Sequence, residues 1–304
     1  MTRPDVSIIV VSYNARAHLE RALEAVAGDG HEVIVVDNAS TDGSPELVRG
    51  RFPGARLLEL PENRGFGAGN NEGMRIAAGR YFLLLNSDAW PVGDAIGRLV
   101  AFMDANSQVG VAGPRIVGTD GRLQKSVRGF PTVWRIATEY FFLRKLAPRS
   151  RALNAFYGAG FDYSARREAD FLMGAVLLLR RAAVEQVGGF DTDFFMFSEE
   201  TDLCYRMRQA GWTVEFCPDA EFVHVGGAST KPEWNRMYRE QLRGHLLFLA
   251  KHRSPSQAER ARRMLVRALR LRGLVFRGER GETYRRAADW LASASAETLL
   301  ESRG

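Results

Sequence analysis

Two short runs of acidic and amide residues follow strand-like apolar runs and could bind a cation or another polar ligand. Asn86-Ser-Asp88 comes directly after Tyr81 to Leu85, and Asp37 directly follows Glu32 to Val36. Ligand groups in open α/β sheets collect just beyond the carboxyl ends of such strands. Asp88 has a second interpretation, as the cap of a helix that starts near Pro91. Taken alone, this stretch supports both interpretations equally.

A third acidic run could supply a proton acceptor. Glu199, Glu200 and Asp202 follow an aromatic run at the predicted start of a helix. Capping by Ser198 and the helix dipole explain one or two acids there. Three close carboxylates raise one another's pKa, as an active-site base requires, so the pattern favours catalysis over capping. His224, near the end of a predicted strand, is on its own more typical of a structural histidine than of a metal ligand.

The elements that would position these residues alternate between strand and helix. Strands are predicted at Val6 to Val11, Glu32 to Val36, Arg56 to Leu60, Tyr81 to Leu85, Val109 to Ala112, Phe171 to Leu179 and Thr213 to Phe216. This order predicts an α/β fold with a parallel sheet. Residues 119 to 167 show no clear periodicity, which predicts a mobile or partner-facing segment.

Residues 63 to 73 carry four glycines immediately before and within a predicted helix. A dinucleotide-binding loop would instead follow the first strand, with an acidic residue about 20 positions later. The first turn, Ser12-Tyr-Asn14, has no glycine, which disfavours a nicotinamide oxidoreductase. The glycines predict a close approach of the backbone to a ligand, and the alternative is ordinary loop flexibility.

The basic character of the chain belongs to its tail. The 304 residues include 42 Lys/Arg and 36 Asp/Glu. Residues 251 to 304 contain 13 of the Lys/Arg and 6 of the Asp/Glu. The helix predicted from Gln257 to Phe276 mixes arginines with apolar residues, which suits an anionic membrane surface. A solvated face of a helix packed on the body is an equal alternative. Nucleic-acid binding is disfavoured because the arginines lack interleaved aromatic residues.

The start of the chain and its apolar runs predict a cytoplasmic protein, or one that is peripheral on the cytosolic face of a membrane. The first residues show no signal-peptide pattern. No apolar run approaches the roughly 20 residues that cross a bilayer. Cys204 and Cys217 have no metal-ligand spacing, and we expect them to be reduced thiols.

Seven motifs in chain order resemble the family 2 glycosyltransferases of GT-A fold, and among them the bacterial rhamnosyltransferases of cell-wall and surface polysaccharide synthesis. The motifs are Val10-Val-Ser-Tyr-Asn14, Val36-Asp-Asn-Ala-Ser-Thr-Asp-Gly-Ser44, Asn63-Arg-Gly-Phe-Gly-Ala-Gly-Asn-Asn-Glu-Gly73, Leu84-Leu-Asn-Ser-Asp88, Phe171-Leu-Met-Gly-Ala175, Gly188-Gly-Phe-Asp191 and Glu199-Glu-Thr-Asp-Leu-Cys-Tyr-Arg206. The resemblance implies a Rossmann-like, mostly parallel central sheet flanked by helices, with a helical C-terminal extension. It implies a nucleotide-sugar-binding half at 1–115, an acceptor-binding and catalytic half at 116–232, and a basic helical extension at 233–304.

The resemblance also implies roles for single residues. Those implied to bind the nucleotide are Ser12, Asn14, Asp37, Asn38, Arg64, Asn70, Asn86 and Ser87. Asp88 and His224 would bind a divalent cation, Mg²⁺ or Mn²⁺, with Asn86 in place of the first aspartate of the metal motif. Glu200 would be the general base, with Glu199 and Asp202 as rivals. Gly174, Arg128 and Asp202 would contact the sugar or the acceptor.

The implied activity is inverting sugar transfer. The foremost donor is dTDP-L-rhamnose, among dTDP- and UDP-sugars, and the acceptor is a saccharide or a polyprenyl-diphosphate-linked saccharide. A hard cation would neutralise the leaving diphosphate, and one carboxylate would take the acceptor's proton, so a single displacement would invert the sugar carbon. The segment around Arg128 would close over the diphosphate. The alternative is a catalytically silent binding protein of the same fold, because Asn86 and Glu200 depart from the family pattern.

Overall fold

The computed structural model describes residues 4–28, 30–226 and 233–301, which form two compact units. The first unit contains the described residues of 4–127, 162–195 and 199–226. The second contains Arg128–Phe161, Met196–Ser198 and residues 233–301. This division differs from the predicted boundaries at 115 and 232, because residues 128–161 group with the C-terminal helices.

The first unit is built on one sheet. Its longer strands are β1 Val6–Ser12, β2 Glu32–Asp37, β3 Arg56–Glu59, β4 Tyr81–Leu85, β5 Ala89–Pro91, β6 Val109–Val117, β11 Val176–Arg180 and β12 Thr213–His224. Two short strands, β7 Leu123–Gln124 and β9 Arg167–Glu168, also belong to this sheet, whereas β8 Val127–Arg128 and β10 Phe171–Leu172 pair with each other in a separate two-stranded sheet. The sheet order is β3-β2-β1-β4-β11-β6-β12-β5, with β7 beside β6 and β9 beside β12.

Strand direction follows the prediction on one side of the sheet and departs from it on the other. β3, β2, β1 and β4 are parallel, and all five residues of β4 are buried, as its continuous apolar run predicted. β11 runs antiparallel to both β4 and β6, so the sheet is mixed. The prediction of a single strand over Phe171 to Leu179 is wrong, because residues Met173–Ala175 separate β10 from β11.

Helices cover the sheet of the first unit and make up most of the second. The first unit contains α1 Arg16–Val26, α2 Ser44–Arg51, α3 Phe66–Ile76, α4 Ala95–Ala105, α7 Arg181–Val187 and α8 Glu199–Gln209. The second contains α5 Val133–Tyr140, α6 Arg151–Asn154, α9 Trp234–His252, α10 Pro255–Val275, α11 Gly278–Ala292 and α12 Ala296–Glu301. Helix α1 buries Leu19, Ala22, Leu23 and Val26, whose helical spacing places them on one face.

A separate apolar core explains why residues 128–161 belong to the second unit. Ile136 and Tyr140 of α5 join the core cluster that also contains Leu242 and Leu246 of α9 and several residues of α10. The buried guanidinium of Arg272 donates hydrogen bonds to the backbone oxygens of Tyr140 and Glu139, at 2.8 and 2.7 Å. Helices α5 and α6 lie within residues 119–167, where the absence of periodicity gave no sign of them, and α5 packs against α10, more than a hundred residues further along the chain.

The structure also bears on the thiols and on membrane spans. Cys204 and Cys217 are buried and form no disulfide. Burial raises the pKa of Cys204 to about 12, so its thiol stays protonated at neutral pH. Of the helices in the described part of the chain, none combines the length and apolar character that crossing a bilayer requires.

Candidate active site

The candidate site lies at the carboxyl ends of β1, β2 and β4. β1 pairs with β2 on one side, with Ser12 opposite Asp37, and with β4 on the other. The chain builds β2 and β3 on one side of β1 before β4 forms on the other. Open α/β sheets bind ligands in the crevice at such a reversal of strand order. The strand ends therefore bring Ser12, Asp37 and Asn86 to one edge.

Two of the predicted nucleotide-binding amides hold loops around this edge. The backbone N–H of Asn14 donates to Ser40 Oγ at 3.0 Å, and Asn14 Oδ1 accepts from the N–H of Thr41 at 2.8 Å. Asn38 Oδ1 accepts from the N–H of Arg64 at 3.0 Å, and its Nδ2 donates to the Gly65 oxygen at 3.1 Å. Both side chains thus have a structural use, which the sequence did not predict.

Asp37 and Ser12 present buried oxygen atoms that lack protein partners. Asp37 is only 3% exposed, and its Oδ2 accepts from the N–H of Ser40 at 2.9 Å. Its Oδ1 and the Oγ of Ser12 have no hydrogen-bond partner among the residues that the structure describes, and the same holds for Asn70 Oδ1. Leaving a buried polar atom unsatisfied costs about 1–3 kcal/mol, so a ligand donor there would be stabilised.

Asp88 and His224 lie together, as the predicted metal site requires. Asp88 Oδ1 is 3.3 Å from His224 Nε2, and Oδ2 accepts from the N–H of Gly226 at 3.1 Å. Asn86 Nδ2 is also 3.3 Å from His224 Nε2. Ser87, which lies between Asn86 and Asp88 in the sequence, is buried. The helix-cap interpretation of Asp88 is wrong, because β5 follows it directly and α4 begins only at Ala95.

Gln124, which the sequence did not single out, fixes the orientation of the His224 ring. Its Oε1 is 2.9 Å from His224 Nδ1, and its Nε2 donates to the His224 backbone oxygen at 2.6 Å. An amide oxygen only accepts, so Nδ1 donates a hydrogen bond to it, and in the neutral ring this leaves the lone pair on Nε2, the nitrogen nearest Asp88. This is the arrangement in which a histidine ligates a metal.

The donors at this position fit a shared cation rather than a closed metal site. An imidazole lone pair and a carboxylate oxygen 3.3 Å apart are both electron-rich, and a divalent cation would join them. Within residues 4–28, 30–226 and 233–301, no cluster contains three or more His, Cys, Asp or Glu side chains placed to bind a metal. Further ligands would therefore come from water, a diphosphate or the Asn86 amide.

Glu199 and Glu200 begin α8 in different environments. Glu199 is 3% exposed, and burial, followed by the charge of Glu200, raises the pKa of Glu199 well above its usual range. Glu200 is half-buried beside Gly174, where an added methyl group would lie 3.7 Å from its Cβ. The N–H of Asn86 donates to the Ala175 oxygen at 3.0 Å. The turn at 173–175 therefore brings Glu200 next to the end of β4.

Asp202, the third acid of α8, is engaged in a structural network. It is fully buried, and its Oδ2 accepts from Arg206 Nε at 2.7 Å. Arg206 also donates to the backbone oxygens of Val187 and Gly189, at 2.7 and 2.6 Å. The carboxylate of Asp202 thus holds α8 to the end of α7. Arg128 belongs to the second unit, where its guanidinium lies 4.9 Å from the centre of the Tyr157 ring.

The glycines of residues 63–73 approach the protein itself. At Gly65, which has a φ of +84°, a methyl group would overlap the backbone oxygen of Phe195. Methyl groups at Gly69 and Gly73 would lie 2.9 Å from Val11 and 2.5 Å from Ile9 of β1. The close approaches that the structure contains are those to β1 and Phe195, because α3 packs directly on the sheet.

Several known proteins are similar to this chain in sequence. The family model described as Glycosyl transferase family 2 matches residues 7–172. An N-acetylglucosaminyl-diphospho-decaprenol L-rhamnosyltransferase of Mycobacterium tuberculosis is 33% identical over 241 residues, which are 73% of this chain and 76% of the relative. The succinoglycan biosynthesis protein ExoO of Rhizobium meliloti is 39% identical over 124 residues, 39% of this chain and 36% of the relative.

Solved structures share the fold. The mannosyltransferase PcManGT of Pyrobaculum calidifontis, in complex with GDP-Man and Mn²⁺, has a TM-score of 0.55 at 19% identity and covers 99% of this chain and 86% of its own. Residues 1–349 of S. aureus TarS give a TM-score of 0.54 at 16% identity, and the match covers 97% of this chain and 82% of the TarS chain. At these identities the likeness concerns the fold alone, and it confirms the predicted GT-A architecture.

Proposed function

Because the chain belongs to glycosyl transferase family 2, we propose that it transfers L-rhamnose from dTDP-L-rhamnose to a polyprenyl-diphosphate-linked saccharide, with inversion at the sugar carbon. Glycosyl transfer itself follows from the family. The observation that supports the sugar and the acceptor is the similarity to the M. tuberculosis relative, whose name contains both a rhamnosyl group and a diphospho-decaprenol. The geometry agrees, since a candidate donor site, cation pair and base lie at one edge of the sheet.

The nucleotide of the donor would bind at the ends of β1 and β2. Asp37 Oδ1 and Ser12 Oγ are buried acceptors without protein partners in the described part of the chain, so they would accept hydrogen bonds from a nucleobase N–H or a ribose hydroxyl. Asn14 and Asn38 would keep the surrounding loops in place through the hydrogen bonds described above. Arg64, which is 43% exposed, would place positive charge near the diphosphate.

Asp88 and His224 would hold Mg²⁺ or Mn²⁺. A bound divalent cation supplies the positive charge that stabilises the leaving diphosphate. Gln124 keeps a proton on His224 Nδ1 and so keeps Nε2 available as a ligand. The backbone N–H of Gly226 orients the Asp88 carboxylate by donating to its second oxygen.

Glu200 is the best-placed general base. Burial, followed by the charge of Glu200, raises the pKa of Glu199 and so disfavours its carboxylate form, and Asp202 is paired with Arg206. The acceptor oxygen attacks the anomeric carbon while the bond to the diphosphate breaks, and the nucleoside diphosphate leaves with that electron pair. Glu200 takes the hydroxyl proton. One displacement without an enzyme nucleophile inverts the configuration.

Glu200→Gln tests this assignment. We expect transfer to fall by about 10²–10⁴-fold, because the variant cannot accept the proton, while calorimetry shows unchanged donor binding. Glu199→Gln is the matched control, since burial disfavours the charged form of the residue that it replaces, and its loss of transfer should be much smaller. Normal turnover by Glu200→Gln would place the base elsewhere. The anomeric configuration of the product, read by NMR, tests inversion separately.

The donor can be identified without an acceptor. A ligand that binds only the folded state raises the melting temperature. With Mn²⁺ present, we expect dTDP-L-rhamnose to raise it more than UDP- or GDP-sugars do. A larger shift with another nucleotide sugar would reject the proposed donor and leave the assignment of Glu200 intact.

A further inference from the structure

The sequence pattern of α10 suited its apolar face to binding a membrane, but that face is buried inside the protein. Leu265, Ala268 and Leu269 are fully buried in the core of the second unit. Glu139 and Tyr140 accept hydrogen bonds from Arg272 on the same helix. For this face, the interpretation as a helix packed on the body is therefore correct, and lipid cannot reach it in the folded protein.

A different apolar surface remains exposed at the C-terminal end of α10. Its members are Leu146, Leu271, Leu274 and Val275, with exposed fractions of 79, 44, 83 and 60%. We include Leu146 because it lies four residues after Phe142, whose ring is 5.8 Å from the ring of Phe276 and 4.3 Å from the Arg272 guanidinium. We call these four residues the apolar patch. Aliphatic side chains so exposed, grouped at one helix end, are typical of a binding surface.

Arginines continue the same helix face away from the apolar patch. Arg260, Arg263 and Arg267 line a groove of about 520 Å³ together with Phe141, Ser256, Glu259 and Met264. Arg267 and Leu271 are four residues apart, and Leu274 is three further, so they share one side of the helix. Along this side of α10, arginine is therefore followed by leucine toward the C-terminal end of the helix.

Of the three arginines that line this groove, Arg260 and Arg267 have no acidic partner in the described part of the chain, whereas Arg263 is paired with Glu259. α10 contains six arginines and one acidic residue, Glu259, which is paired with Arg262 and Arg263. Arg260, Arg267 and Arg270 form no ion pair with any residue that the structure describes. A partner with dispersed negative charge and an apolar interior matches both parts of the surface.

We propose that the exposed face of α10 and the apolar patch form a docking surface for an anionic lipid bilayer. Leu146, Leu271, Leu274 and Val275 enter the boundary between head groups and acyl chains, and the arginines contact lipid phosphates. A second copy of the chain fits less well, because a two-fold contact would set these arginines against their own equivalents. The inference goes beyond the proposed transfer reaction and does not depend on it.

Vesicle sedimentation with the full chain tests the docking surface. We expect binding to vesicles that contain phosphatidylglycerol, weaker binding at high salt, and little binding to pure phosphatidylcholine. Leu271→Ser with Leu274→Ser should weaken binding by about tenfold or more. Arg267→Gln with Arg270→Gln should weaken it by about 25-fold, from roughly fivefold for each charge.

Two variants at other exposed positions are the matched controls. Arg239→Gln removes an exposed charge from α9, and Val92→Ser removes an exposed apolar side chain from the first unit. Both should bind vesicles like the unmodified chain. Melting temperature and calorimetric donor binding should be unchanged in every variant, which separates loss of docking from failure of the transferase assignment. Point variants are needed because truncation at residue 257 would remove core residues of α10.

Three outcomes would overturn the proposal. The first is equal vesicle binding by both double variants and the unmodified chain. The second is equal binding to neutral and anionic vesicles. The third is self-association that the same substitutions abolish while vesicle binding persists, which would assign the surface to a second copy of the chain.

Discussion

At residue scale, the candidate cation site has one carboxylate and one imidazole, with an amide where the metal motif would begin with an aspartate. Asp88 and His224 are both more than 90% buried, and their facing atoms are 3.3 Å apart. Asn86 contacts the same imidazole nitrogen. The negative charge available to a cation at these three positions therefore comes from Asp88.

Asp88→Ala should consequently reduce transfer far more than Asn86→Ala. The first substitution removes the charge and the oxygen that faces His224, whereas the second removes a neutral group that water replaces. Initial rates at saturating Mn²⁺ give the comparison, and donor binding measured without metal serves as the control. Equal losses in the two variants would contradict the assignment of Asp88 as the charged ligand.

Gln124→Leu should weaken Mn²⁺ binding by about 10- to 100-fold, because the His224 ring loses the acceptor that fixes its tautomer. Electron paramagnetic resonance of free Mn²⁺ measures this without reference to activity. Gln186→Leu is the matched control, since that amide accepts from Trp212 in the first unit and contacts no candidate ligand. Gln124→Glu restores an acceptor at Nδ1 and should recover part of the affinity. An unchanged affinity in Gln124→Leu would show that Gln124 does not position the ligand.

The sequence singled out Asp37, Asp88 and Glu200 as candidates because each stands at the end of a recognisable strand or the start of a helix. It could not locate Gln124. That residue lies in a segment without periodicity, and its partner His224 is a hundred positions further along the chain. A hydrogen bond across such a separation leaves no local signal, so only the pairing of β6 with β7 and β12 reveals it.

At the scale of elements, α3 sits close to the sheet because its glycines lack side chains. Gly65 holds the loop before α3 against Phe195, whose backbone oxygen accepts from the N–H of Phe66 at 3.0 Å. Phe195 precedes Glu199 by only four residues. The glycine loop therefore acts on the position of the glutamates through Phe195.

Gly65→Ala should destabilise the protein by about 3 kcal/mol or more, since the added methyl overlaps the Phe195 oxygen and φ is +84°. Urea unfolding measures this change, and transfer activity should fall with it. Gly50→Ala is the control. Gly50 lies in α2 with open space around its Cα, so alanine should raise the free energy of unfolding by about 0.5–1 kcal/mol. Equal stability of the two variants would contradict the packing argument.

The segment just before the glutamates is conformationally costly. Phe197 and Ser198 are consecutive non-glycine residues with φ of 66° and 71°, each disfavoured by roughly 1–2 kcal/mol. Helix α9 approaches them at Gly244, where a methyl group would lie 2.9 Å from the Phe197 oxygen. Strain of this kind is concentrated at functional sites. Sequence patterns do not show it, because neither residue type favours the left-handed region.

The prediction of elements failed where apolar residues continue through a turn. Phe171 to Leu179 is apolar except for Gly174, so its pattern matches one long strand. The structure turns at Met173–Ala175, which brings Gly174 beside Glu200 and sends β11 antiparallel to β4. The polar residues that normally mark a turn are absent from this stretch, and strand direction is not encoded in hydrophobicity.

At the scale of the whole molecule, the second unit carries a buried titratable group that makes its stability depend on pH. His245 is 5% exposed, with ring centres of Tyr140 and Phe156 at 6.2 and 5.5 Å. Burial lowers the pKa of His245 to about 4 from its usual 6.5. Between these values the unfolded chain binds a proton that the folded chain does not, so stability is full above pH 6.5 and falls toward pH 4.

We expect His245 to account for a loss of about 3 kcal/mol in the free energy of unfolding between pH 6.5 and 4. His245→Leu removes the titrating group, so its unfolding free energy should depend less on pH across this range. Urea titrations of both proteins at several pH values isolate the effect, because all other ionisable groups are shared. Parallel pH profiles would show that His245 is protonated in the folded state as well.

The discontinuity of the second unit has a consequence for how the protein is made. Arg272 and its acceptor Tyr140 are 132 residues apart in the chain. At 5–20 residues per second, a ribosome takes roughly 7 to 26 s to span that distance. During this interval Ile136 and Tyr140 have emerged without the α10 side chains that cover them. During synthesis the sheet can therefore assemble while the apolar face of α5 is still exposed. We expect a chaperone to bind this partly folded chain.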